Sequence, residues 1–237
     1  IQIEYGEYIN AVIPVEKLDE SKNLFFATQK GIVKKTLLPE YTNIRKGGLI
    51  AINLREDDEL IGVRLTDGNQ QIMLGTANGL AIRFPESDVR LMGRSATGVK
   101  GIHLSPDDKV IDMDVVNEDE QVLIVTAKGY GKQTPISEYR IQTRGGKGIK
   151  TISFNDESNE KLGHVVCLKM VNNEDDLMII TASGTLIRTS ISGISTYSRY
   201  AKGVKLIQIR DEDEVATVSR VEKYEEPEEG SAEGDDE

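Results

Sequence analysis

The pattern Thr-x-x-Gly recurs four times, opening at Thr28, Thr76, Thr126 and Thr181 and closing at Gly31, Gly79, Gly129 and Gly184. The step from one copy to the next is 48, then 50, then 55. A period of that length confines the chain to repeat architectures. Each unit is too small to bury its own apolar face and must stack on its neighbours. Every copy stands between two short apolar runs: residues 24–26 and 32–35, 72–74 and 80–83, 122–125 and 130–132, and 177–180 and 186–188. Two such runs joined by a glycine-containing turn read as a β-hairpin.

A second element keeps the same period. Gly48, Gly98, Gly148 and Gly203 follow one another at steps of 50, 50 and 55. Arg94, Arg144 and Arg199 each precede their glycine by four positions, whereas the first copy has Arg45 three before it, followed by Lys46. Lys147 and Lys202 lie immediately before the glycine, and Lys100, Lys150 and Lys205 two positions after it. The fullest copy is Gln142-Thr143-Arg144-Gly145-Gly146-Lys147-Gly148. Three glycines in so short a stretch cannot pack a core, but they allow tight turning and close backbone approach. Gln142, Arg144 and Lys147 stand among them as exposed donors. Amide N–H groups and cationic side chains at such a loop suit a phosphate backbone.

The expected DNA-binding set is therefore Arg45, Lys46, Arg94, Lys100, Gln142, Arg144, Gly145, Gly146, Lys147, Gly148, Lys150, Arg199, Lys202 and Lys205. The hairpin bases Lys34, Lys35, Arg83, Lys132 and Arg188 extend the strip. A single Lys or Arg is ordinarily solvated surface charge. Bases that recur at one level of a radial repeat instead form a curved positive track, which bends a duplex through its backbone without reading sequence. No aromatic interleaves the strip regularly, which disfavours single-strand stacking.

Each repeat holds four short strands and almost no helical periodicity. The strands after the glycine loops are expected at 49–52, 99–104, 149–152 and 204–209, and a fourth type at 60–65, 110–116, 162–170 and 215–221, with an N-terminal copy at 8–15. Acidic connectors at 56–59, 107–108, 156–160 and 211–214 lie between these two types and read as solvated turns. Four strands per unit of about fifty residues is the signature of radial β-blades. The expected organisation is an all-β, propeller-like domain over residues 1–221, with four full blades and a partial blade at each end. Residues 215–221 open a blade that does not continue, and the start at Ile1 reads as a chain cut from something longer.

The net charge of −11 argues against a nucleic-acid binder until it is partitioned. Residues 222–237 carry nine acids and one Lys, so residues 1–221 carry only −3. The acidity belongs to a tail nearly free of apolar residues, expected to be disordered and to act either as a solubilising end or as a competitor with DNA for the basic rim. Cys167, the single cysteine, lies in an apolar run and reads as a buried thiol; it excludes an internal disulfide and fits a reducing cytoplasm. No apolar run approaches the roughly 20 residues of a membrane span. His103 and His164, the two histidines, stand in no metal-ligand spacing, and there is no P-loop or nucleophile elbow. A propeller acting as a protein-interaction scaffold remains the competing class; it needs apolar or aromatic anchors, and only 5% of this chain is aromatic.

With its motifs in view, the chain resembles the C-terminal domain of the DNA gyrase A subunit, in the style of Gram-positive bacteria. The resemblance spans 1–221. It rests on the box Gln142 to Gly148 and on the blade sequences Arg55-Glu56-Asp57-Asp58-Glu59-Leu60-Ile61-Gly62-Val63-Arg64-Leu65-Thr66-Asp67-Gly68 and Thr181-Ala182-Ser183-Gly184-Thr185-Leu186-Ile187-Arg188. It implies a β-pinwheel, in which neighbouring blades exchange a strand and a basic rim wraps duplex DNA, biasing strand passage toward negative supercoiling. It further implies partnership with the B subunit, and with the rest of the A subunit, in a cytoplasmic A2B2 complex. The strand-cutting Tyr and the ATP- and Mg2+-using ATPase lie elsewhere in that complex, so no cofactor and no catalysis is expected on this chain. The family's box lies in the first blade, whereas the best match here is in the third repeat; either it is a second copy, the reading we favour, or the ring is arranged differently. The related domain of the topoisomerase IV A subunit has degenerate boxes, and the clean box argues against that alternative.

Overall fold

The computed structural model describes residues 5–15, 19–42, 48–154, 160–210 and 212–221. In chain order the first strands are β1 (Asn23–Thr28), β2 (Ile32–Leu37), β3 (Leu60–Thr66), β4 (Gln71–Thr76), β5 (Leu80–Pro85), β6 (Val99–Lys100) and β7 (Val110–Val115). They are followed by β8 (Gln121–Thr126), β9 (Tyr130–Pro135), β10 (Ile149–Lys150), β11 (Val165–Val171), β12 (Asp176–Thr181), β13 (Leu186–Ser190), β14 (Val204–Lys205) and β15 (Val215–Val221). Four small antiparallel sheets result, in the orders β3-β1-β2-β6, β10-β5-β4-β7, β11-β8-β9-β14 and β13-β12-β15.

Each hairpin is closed by its turn glycine, whose N–H donates to the carbonyl of the turn threonine, and in the first, second and fourth the threonine hydroxyl also accepts the N–H of the residue after the glycine. Thr28 O accepts the N–H of Gly31 at 2.9 Å, and Thr28 Oγ1 accepts that of Ile32 at 3.1 Å. This is a three-residue loop ending in a left-handed glycine, a common hairpin geometry. The acidic connectors supply its cap. Asp58 accepts the Thr28 hydroxyl at 2.7 Å and the Lys30 N–H at 2.9 Å; Asp108 accepts the Asn78 N–H at 3.0 Å; Asp213 accepts the Ser183 N–H at 3.0 Å and its hydroxyl at 2.6 Å. These hydrogen bonds hold Asp213 down at about 2, with that from Ser183 the largest contribution. In these three connectors one carboxylate is structural, because it satisfies turn N–H groups that no strand partner reaches.

The short strands β6, β10 and β14 do not pair within their own repeat. Each crosses to the second hairpin strand of the repeat before: β6 to β2, β10 to β5, β14 to β9. The inner strands pack in succession, β3 on β7, β7 on β11 and β11 on β15, and all four line one central cavity. The sheets are therefore arranged around a common axis, like the blades of a propeller. Three apolar cores fill the spaces between neighbouring sheets, the first joining Phe25 and Val33 to Ile72, Ile82 and Phe84, and the others following from sheet to sheet. A blade with neighbours on both faces is buried on both. That is why β8 reads as an unbroken apolar run, Val122 to Val125, rather than an alternating one.

Three sequence expectations are corrected. Residues 215–221 form β15, which pairs with β12 and completes the fourth sheet instead of opening another. Residues 48–54 and 8–15 form no strand. The loop strands β6, β10 and β14 are only a pair of residues long, because the chain then turns away so that side chains such as Ile102 and Ile152 pack in the inter-blade cores.

Candidate nucleic-acid interface

The box loop of the third repeat is laid against the second sheet by backbone and side chain together. Gln142 N–H donates to Arg83 O at 2.8 Å, Gly145 N–H to Gly101 O at 2.6 Å, and Gly146 O accepts the His103 N–H at 2.8 Å. Gly148 has φ +76°, and a Cβ there would lie 2.6 Å from Ala81 O. Both facts require glycine, the first by backbone conformation and the second by contact. Register then follows: Ile149 pairs with Ala81 and Lys150 with Leu80.

The arginines have a different place from the one the sequence suggests. Arg144 Nε donates to Asp88 O at 2.8 Å and a terminal guanidinium nitrogen to Lys100 O at 3.0 Å, while the Arg144 backbone N–H donates to Asp88 Oδ2 at 3.2 Å. Arg199 repeats the arrangement, with its guanidinium on Lys150 O at 2.7 Å and its backbone N–H on Glu138 Oε2 at 2.9 Å. Arg94 reaches Ile50 O at 3.5 Å. Arg144 and Arg199 therefore fix the strand that carries the preceding repeat's lysine. Lys100, Lys147, Lys150, Lys202 and Lys205 are exposed, Gln142, Gly145 and Gly146 are half-buried, and Arg45 and Lys46 lie outside the described residues. The loops thus present ammonium groups held in place by guanidinium groups.

The hairpin bases do not extend the strip. Lys34, Lys35, Arg83 and Lys132 are buried. Lys132 Nζ donates to Ser198 O and Arg199 O, both at 2.6 Å, and Lys34 Nζ to Ala51 O at 2.6 Å and to Arg94 O. Burial lowers both ammonium pKa values to about 8; Arg94 adds to the effect at Lys34, and at Lys132 Glu138 opposes it and Arg199 assists. Arg83 binds Ile136 O and Tyr139 O at 3.2 Å and pairs with Glu118. Arg188 is exposed but pairs with Asp176 at 2.7 Å. A signal for the buried lysines was present in the repeat. Three positions after the turn glycine stand Lys34, Ile82, Lys132 and Ile187, and isoleucine in two copies marks the position as inward-facing.

The family described as the DNA gyrase C-terminal domain, beta-propeller, matches residues 22–67, 70–117, 120–167 and 175–222, one match for each sheet. The chain belongs to this family. Among relatives, the DNA gyrase A subunit of Halalkalibacterium halodurans is 63% identical over 221 residues, and that of Staphylococcus aureus strain MRSA252 is 46% identical over 222 residues. Each alignment covers 93% of this chain, which spans about a quarter of each relative's length, 26% and 25%. Among solved structures, the C-terminal domain of DNA topoisomerase IV aligns with a TM-score of 0.87 at 28% identity, covering 93% of this chain and 68% of that one. The DNA gyrase A C-terminal domain aligns at 0.78 and 25% identity, covering 87% and 68%. Among the described residues of this gyrase-family domain, no three His, Cys, Asp or Glu side chains gather as a metal site would require.

Proposed function

We propose that this domain binds duplex DNA without sequence preference along its strand-exchange loops and wraps it. In this reading it serves the A subunit of DNA gyrase, an ATP-dependent type II topoisomerase that introduces negative supercoils. The observation that carries the reading is the recurrence of exposed lysines at one place in successive blades: Lys100, Lys150 and Lys205, with Lys147 and Lys202 beside two of them. Their carrier strands are fixed by the neighbouring repeat, so the charges are presented at set intervals to a stiff polyanion. Strand cleavage and ATP hydrolysis with Mg2+ belong to other parts of the proposed A2B2 assembly in the bacterial cytoplasm. The acidic residues 222–237, which lie outside the described residues, act in this reading as a tethered competitor. Their removal is expected to strengthen DNA binding, most of all at low salt.

The test is the salt dependence of duplex binding by this chain. Lys147→Ala with Lys150→Ala should lower the slope of log K against log salt by about 2, equally for unrelated sequences. Arg144→Ala combined with Lys147→Ala should lower it by nearer to about 1, since Arg144 is engaged with carbonyls. An unchanged slope in the lysine pair overturns the reading. The topoisomerase IV alternative is separated by assembling the intact A subunit with its B subunit: negative supercoiling of relaxed plasmid supports gyrase, and decatenation without supercoiling supports the other.

A further inference from the structure

The third blade carries a cluster of bases that the box motif does not account for. A cleft of about 280 Å³ opens beside Tyr130 and is lined by Lys128, Lys161, Lys205 and Arg210, with Glu160 the one carboxylate among its described lining residues. Lys161 Nζ lies 5.6 Å and Lys205 Nζ 5.7 Å from the centre of the Tyr130 ring, within cation–π range. Lys128 Nζ donates to Asp213 O at 3.2 Å, which ties the base of the cleft to the turn cap of the next repeat. Among the described residues, no carboxylate lies within ion-pair distance of Lys161, Lys205 or Arg210. Lys161, Lys205 and Arg210, beside one aromatic ring and, among the described residues, one lining carboxylate, leave a positive field in a concave wall, where field lines focus and an anion is attracted.

The cleft is built by strand exchange. Lys205 and Arg210 come from the fourth repeat, while Lys128, Tyr130 and Lys161 come from the third. It is also particular to this blade. Tyr130 has Ile32, Leu80 and Thr185 as its counterparts, and Lys128 has Lys30, Asn78 and Ser183. Lys161 follows the connector at which the repeat lengthens, the step from Gly148 to Gly203 exceeding that from Gly98 to Gly148. Lys205 belongs at once to this cleft and to the exposed loop lysines, so the two positive surfaces are continuous.

We propose that this cleft is a phosphate-binding subsite for the DNA backbone, which draws the duplex from the loop at Lys202 and Lys205 toward the hairpin turn at Lys128. The inference rests on the DNA-binding reading given above and extends it to residues outside the box. It makes the wrapped path asymmetric, with an additional anchor on the third blade.

The experiment uses this chain with a short fluorescein-labelled duplex. Lys161→Gln with Arg210→Gln should lower the salt slope by about 2 and weaken binding by roughly ten-fold or more near 0.1 M salt. Lysine acetylation read by mass spectrometry gives an arm independent of substitution: duplex DNA should protect Lys161 and Lys205 and leave Lys30 reactive. A wild-type slope in the double variant, or equal labelling of Lys161 with and without DNA, overturns the subsite. If Lys147→Ala with Lys150→Ala lowers the slope while Lys161→Gln with Arg210→Gln does not, the subsite fails and the DNA-binding reading stands. If neither pair changes the slope, both fail.

Discussion

The loops after Gly48 and after Gly148 occupy the same place in the repeat and differ in how they are held. The two glycines share a backbone conformation, φ +75° and +76°. A Cβ on Gly148 would collide with Ala81 O at 2.6 Å, whereas one on Gly48 would meet nothing within 4 Å. Residues 149–150 pair with β5, but residues 48–54 pair with no described strand. The earlier segment is tethered from outside, by Lys34 and Tyr41 on Ala51 O and by Arg94 on Ile50 O. Local sequence sets the turn in both loops. The strand conformation of the residues that follow comes from a hairpin presented by the preceding repeat. The motif is therefore half of a structure whose other half lies one repeat upstream, at Leu80 and Ala81.

The largest expected effect separates the two glycines. Gly148→Ala should cost about 3 kcal/mol in denaturant unfolding, from backbone strain plus the contact with Ala81, and Gly48→Ala only about 1 kcal/mol from backbone strain alone. Equal costs would mean that docking contributes nothing to the difference. A smaller effect is expected at the buried amines that hold the loops of the second and fourth repeats. Lys132→Met leaves Ser198 O and Arg199 O without their donor and should cost about 1 kcal/mol. The pH dependence has a definite sign. The folded ammonium, at about 8, lies below the unfolded value, so the unfolded chain holds more protons between about pH 8 and 10. Stability should rise with pH across that window, and Lys132→Met should flatten the rise. Above about pH 10 burial of Tyr139, whose pKa is raised to about 12, works the other way, because the unfolded phenol ionises first. The smallest signal is in hydrogen exchange. The N–H groups of Gly145 and His103, bonded at 2.6 and 2.8 Å, should exchange slowly, and those of 48–54 rapidly. Equal protection would place the first loop on an edge as firm as β5.

The sequence carried most of the architecture, because both repeating signals are local. Thr28 and Gly31, with their three counterparts, specify hairpins by turn chemistry alone, and the apolar runs around them specify strands. Two things were not local. Assigning β15 required knowing that it returns to β12 within its own sheet, where Thr181 meets Val215 and Asp176 meets Val221, a long-range pairing that hydrophobic pattern does not encode. Telling Lys150 from Arg144 required knowing which cation has a carbonyl in reach. Both are long side chains beside glycines, and only the docked strand puts Lys100 O beneath the guanidinium. The buried lysines were legible in principle from Ile82 and Ile187 at the same repeat position. Reading them needs columns of the repeat compared with one another, since Lys132 by itself looks like surface charge.

Strand exchange also bears on how such a chain can change length over generations. A repeat such as the third carries one acceptor edge, β9, and one donor, β10, with donor and acceptor always from successive repeats. A tandem duplication that copies one whole period adds a matched donor and acceptor and leaves every other seam intact, wherever in the period it begins. A duplication of any other length sets a donor against an edge that expects none. Gain and loss of whole structural units in this domain are therefore quantised in steps of about fifty codons.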